Sequence, residues 1–207
     1  MKEEDSFLQQ HFKYYQEWDH WLEKAEKLKR ASLILYNADL PDLRLYDQAY
    51  KKALEEIGEE GSAPVGHPHP DMLPAFSMFG SAMENLFKGV MVHKDLGLIG
   101  ADKLSQSLKS HDLLDLAKEA GMTLSAPETS LLAWLSEVVI WKARYSVPTN
   151  LKFGDAFFHR LDNISLLDAE TCMKVLEELF ARTTKMLPEP KKLREGLDVL
   201  VVWKEKA

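Results

Sequence analysis

Three short stretches carry residue types able to do acid–base or phosphate chemistry. The first is "AMENLFKGVMV", residues 82–92, where Glu84 and Lys88 stand one helical turn apart. They continue a polar stripe from Ser77 and Ser81, at steps of 4, 3 and 4, along an otherwise apolar segment. A carboxylate on so apolar a helix needs a partner, because an unpaired buried charge is strongly disfavoured. Lys88 is the local choice, and the pair reads either as a half-buried ion pair that fixes packing or as the wall of a cleft. The second stretch is "HDLLDLAKEAG", 111–121, with Ser110 in the N-cap position and His111 and Asp112 in the first turn. Asp112 gains from the positive end of the helix dipole. A neutral imidazole offers one donor and one acceptor, suited to tying helices together or to acting as a general base. The third is "VIWKARYSVP", 139–148, with Arg144 and Tyr145. Arg144 lies one turn beyond Trp141, so it can stack on the indole and pair with an acid, or grip a phosphate with its planar fork.

Other constellations are weaker. "HPHPD" places His67, His69 and Asp71 together, but in a Pro/Gly-rich loop with no rigid element to aim them, so it reads as a solvated loop. Glu17 and His20 have E-x-x-H spacing, yet a di-metal bundle needs that motif twice. The phosphate-loop, dinucleotide, H-E-x-x-H and G-x-S-x-G patterns do not occur. No metal or cofactor is expected.

The elements that must position these residues are helical. From Ser6 to about Asn37, apolar residues recur at Leu8, Phe12, Tyr15, Trp18, Leu22, Ala25 and Leu28, which predicts a long first helix over 5–37 with near-heptad spacing. Pro41 is expected to break it. A second, weaker helix, "LYDQAYKKALEEIG", should stop at Gly58, and the Gly/Pro-rich stretch 59–72 reads as a connecting loop. Residues 73–95 are apolar nearly all round and should form the most buried helix. Gly121 should close the helix begun at Ser110, and Ser125 should cap another with Pro127 in its first turn, ending before Pro148. A further helix is expected over 167–187. In the last stretch, Leu193, Leu197, Leu200 and Val201 have helical spacing while "DVLVVW" is rich in β-branched residues; helix is favoured because a lone strand would lack a partner. Amphipathic helices joined by loops hide their stripes against one another, so the fold class is all-α, a bundle of four or more helices in one domain over 1–207.

Composition narrows the class. The chain has 207 residues, 45% of them apolar, enough for a core. Its net charge of −7 lacks the overall signature of a nucleic-acid coat, although a local basic patch stays compatible with it. Cys172 is the single cysteine, which excludes an intramolecular disulfide and a four-cysteine zinc site. The first residues, "MKEEDSFLQQ", lack an apolar signal core, and the apolar runs are too short to span a bilayer. The expectation is a soluble cytoplasmic protein with no membrane partner. The aromatic first helix, with Tyr14, Tyr15, Trp18 and Trp21, is the candidate surface for a homodimer or a partner protein.

Taken together, the three stretches resemble the HEPN superfamily of helical bundles. "AMENLFKGVMV" is similar to the A-x-E-x-x-x-K pattern of its central helix, "HDLLDLAKEAG" to its His-[Asp/Asn]-Leu-x-x-Leu helix start, and "VIWKARYSVP" to an Arg-Tyr-x-x-Pro ending. The HEPN-like core would span 72–150, with extra terminal helices at 5–37 and 167–207. The resemblance implies a bundle that is often dimeric, and either a metal-independent ribonuclease of a toxin or defence system or a noncatalytic relative that binds nucleotides, nucleic acid or partner proteins. The nuclease members carry an Arg followed four to six residues later by a His. Here "YSVPTN" follows Arg144, with Asn150 where the His would stand, and "LDNISLL" follows Arg160. The expectation is therefore a noncatalytic module whose cleft is lined by Glu84, Lys88, His111, Asp112, Arg144 and Tyr145. The alternatives are a ribonuclease with a rearranged site and a structural dimerising protein.

Overall fold

The computed structural model describes residues 17–57, 71–100, 103–142 and 169–189. Among these, the chain is all-α. Five α-helices run in order: α1 (Trp18–Ile57), α2 (Leu73–Lys94), α3 (Leu113–Glu119), α4 (Ala126–Glu137) and α5 (Ala169–Thr184). A π-helical turn, Val138–Lys142, continues α4. The expected linker after α2 holds two short 3-10 turns, Leu96–Leu98 and Ser107–Lys109, and a single antiparallel bridge between Ile99 and Leu104. No described helix is long and apolar enough to cross a membrane.

α2 is the axis. Fourteen of its 22 residues are buried, and every other α-helix packs on it. Asp71 starts it by accepting from Leu73 N at 3.0 Å. Phe79, Met83, Leu86, Phe87 and Val90 have no exposed surface, and burying each large side chain favours folding by about 1.5–3 kcal/mol. Two glycines on opposite sides set how close its neighbours come. A Cβ on Gly80 would lie 2.6 Å from Val139 Cγ2 of the π-turn, and one on Gly89 would lie 3.0 Å from Trp21 Cβ of α1. They stand nine positions apart, about half a turn in phase.

α1 corrects the expected break. Pro41 lies inside one continuous helix of 40 residues, which joins the two separate helices read from the sequence. A proline there removes a backbone donor and crowds the carbonyl of Asn37, at about 3 kcal/mol. Packing on either side overrides that: Tyr36 and Leu43 are buried, and Arg44 grips Glu170 of α5 with two nitrogens, at 2.7 and 3.1 Å. The described part of the near-heptad stripe, from Trp18 to Leu28, packs inside the fold. Leu22 and Ala25 are buried, and Trp18, Trp21 and Leu28 pack on the core, so this face is covered by α2. Residues 5–16 of the expected first helix lie outside the described residues.

The short α3 is held at both ends, as a seven-residue helix must be. Gly121 takes φ 77°, and Lys94 Nζ of α2 donates to Ala120 O at 2.6 Å. α4 begins as expected, with Ser125 as cap, a reciprocal bond from Glu128, and Pro127 in the first turn. α5 lays Cys172, Met173, Leu176, Leu179 and Phe180 on the core, with Phe180 edge-on to Phe79. Residues 190–207, including the helix-or-strand question at 197–203, lie outside the described residues.

Candidate functional site

α2 carries Glu84 within its polar stripe, between the partly buried Ser81 and the buried Lys88. Its two carboxylate oxygens are divided: Oε1 accepts from Lys88 Nζ at 2.7 Å, and Oε2 meets His111 Nδ1 at 3.0 Å. The side chains of Lys88 and Glu84 are 5% and 12% exposed, against 51% for His111. The site is therefore a graded row, from a buried ammonium through a nearly buried carboxylate to a half-open imidazole. An ionised carboxylate only accepts, so the ring nitrogen facing it carries the proton. That leaves Nε2 as the ring atom for a further partner, either as a lone pair or as a donor. Lys88 compensates the carboxylate charge, which keeps this polar row tenable beside an apolar core.

The segment preceding α3 differs from the sequence reading. The N-cap is Asp112, not Ser110, and neither His111 nor Asp112 lies in the first turn. Asp112 Oδ1 accepts from Leu114 N at 2.9 Å and from Asp115 N at 3.1 Å. Ser110 Oγ accepts from Asp112 N one step earlier. The carboxylate reaches two amides where the serine reaches one, so the helix starts later. Asp112 is thereby occupied with its own helix start, while its neighbour His111 turns to α2. Glu84, Lys88 and His111 come together; Arg144 and Tyr145 lie outside the described residues, as do His67 and His69.

Ser136 was not singled out from the sequence. It is a buried hydroxyl on α4 that accepts from Leu113 N at 2.8 Å and donates to Leu132 O at 2.9 Å. Its signal was a lone serine in the apolar run "LLAWLSEVVIW". Glu128 was likewise missed. Its carboxylate accepts from Ser125 N, Ser125 Oγ and Arg182 Nη2 at 2.7, 2.9 and 3.0 Å. Burial pushes its titration upward, but the bonds from Ser125 and the guanidinium of Arg182 outweigh that and hold it below the ordinary 4.5.

Two further features offer polar groups to a ligand. A shallow depression of about 400 Å³ is lined by Gln106, Ser107, Lys109, Ser110, Asp115, Leu116 and Glu119, on either side of His111 in sequence. At the start of α1, Glu17, Asp19 and His20 bring one potential metal-ligand atom each within 4.8 Å of one another, with Glu17 exposed and the other two partly so. Compared with protein-family models, curated proteins and solved structures, the chain has no match.

Proposed function

We propose that the chain is a noncatalytic HEPN-like binding or regulatory module that meets a phosphate-bearing ligand, a nucleotide or RNA, at the Glu84–His111 site. The observation that carries this reading is the single carboxylate shared between Lys88 and His111. Lys88 is too buried to meet a ligand itself, so its role is to hold Glu84. Glu84 in turn fixes the ring, and Nε2 of His111 is the contact atom. Arg144 and Tyr145 belong to this proposal through the resemblance alone, as the phosphate-gripping fork and its neighbour. Titrating the full chain with labelled single-stranded RNA and with nucleotides tests it. Binding that His111→Ala and Arg144→Ala each weaken at least tenfold is expected; no binding by the unaltered chain overturns it.

One observation favours a ribonuclease as the second reading. A carboxylate on Nδ1 orients an imidazole so that Nε2 can take a proton from a ribose 2′-hydroxyl. Metal-independent cleavage of total RNA in EDTA, lost in His111→Ala and in Arg144→Ala, would replace the noncatalytic reading. For a homodimer or a partner protein, the outer side of α1 is a candidate surface among the described residues. There Ile34 and Leu45 are 64% and 49% exposed, and Ala38 and Pro41 lie between them at steps of 4, 3 and 4.

A further inference from the structure

The four amides from Asp112 to Asp115 open α3, and each donates to a side-chain oxygen. Asp112 N goes to Ser110, Leu114 N and Asp115 N go to Asp112, and Leu113 N goes to Ser136. The first three bonds are local and move with the segment. The fourth crosses to α4, and Ser136 is itself pinned to Leu132 O. Leu113 has no exposed surface, so the hydroxyl is the acceptor for an amide that water cannot reach. His111 stands two residues before that amide, and Glu84 stands on α2, a third helix.

We infer that Ser136 is the positioning residue for His111: its hydroxyl fixes the start of α3 against α4, and thereby holds the imidazole within reach of Glu84. The inference rests on the reading of His111 as the ligand-meeting group. Without the hydroxyl, Leu113 N loses its acceptor, the segment 110–113 loses its hydrogen bond to α4, and the His111–Glu84 bond opens.

Nitrogen-resolved NMR of the histidine side chains tests this in the full chain, with His111→Ala assigning the signal among the seven histidines. The unaltered chain should show His111 held with its proton on Nδ1. Ser136→Ala should lose that signature and show the exchanging mixture of a free imidazole, as Glu84→Gln should. Ser136→Thr restores the hydroxyl and should restore the signature, which a merely structural role would not require. Should Ser136→Ala fold poorly, Ser136→Cys keeps the volume with a weaker acceptor and should show the same loss. A folded Ser136→Ala or Ser136→Cys with an unchanged His111 signature overturns the inference, as does an unaltered chain lacking the Nδ1 proton. A Ser136-dependent signature in a chain that binds neither RNA nor nucleotide would remove the ligand reading and leave the positioning role intact.

Discussion

Glu84 and Glu128 are two carboxylates of nearly equal exposure, 12% and 10%, put to different uses. Glu128 has partners that are each tied back to the fold, although Arg182 is as exposed as His111, 50% against 51%. It closes the capping box of α4 and receives Arg182 from α5, which also donates to Thr123 O. Glu84 has one buried partner, Lys88, and one half-open and titratable partner, His111. The comparison teaches that burial alone does not mark a site. Arg182 donates onward to Thr123 O and so joins elements, whereas His111 spends Nδ1 on Glu84 and keeps Nε2 for a further partner.

The largest test of this contrast is to break the internal half of the Glu84 row. Glu84→Gln leaves the ammonium of Lys88 buried and unpaired, and should lower stability by ~3–5 kcal/mol in chemical denaturation. Glu84→Leu with Lys88→Met removes both charges and should recover most of that loss while still releasing His111. Glu128→Ala should cost about 1–2 kcal/mol, from the cap and the half-exposed Arg182 bond together, and should leave the His111 signature unchanged. Because Glu128 titrates below its ordinary value of 4.5, its contribution is full above that pH and fades as pH falls through the lower folded value. Acid titration of stability should therefore be flatter in Glu128→Gln. His111→Ala, at the open end of the other row, should change stability by no more than about 0.5 kcal/mol while weakening the proposed RNA or nucleotide binding at least tenfold. The smallest effect is expected from Ile34→Glu with Leu45→Glu, within about 0.5 kcal/mol, with any self-association seen in sedimentation lost.

What could be read from the sequence follows the range of each cause. The Ser125 cap, the glycine at Gly121 and the apolar wrap of α2 each depend on a few adjacent residues, and each is present. The i,i+4 pair of Glu84 and Lys88 was legible for the same reason. Pro41 was misread because a local helix penalty is overruled by contacts with chain more than a hundred residues away, such as Glu170. The start of α3 was misplaced by two residues because two side chains two positions apart, Ser110 and Asp112, competed for the cap, and the carboxylate could take two amides. His111 and Glu84 are 27 positions apart, and Ser136 and Leu113 are 23, so no spacing rule could join them.

The glycine notches of α2 have a consequence for how this chain can vary. Between Gly80 and Gly89 lie eight residues, Glu84 and Lys88 among them. An insertion or deletion of one residue in that window would rotate one flat by about 100° relative to the other. Either α1 or the π-turn would then ride up on a side chain, and the carboxylate would swing off the imidazole. Length in this window is thus fixed by the clamp at its two ends, and the polar row inherits its aim from that fixed length.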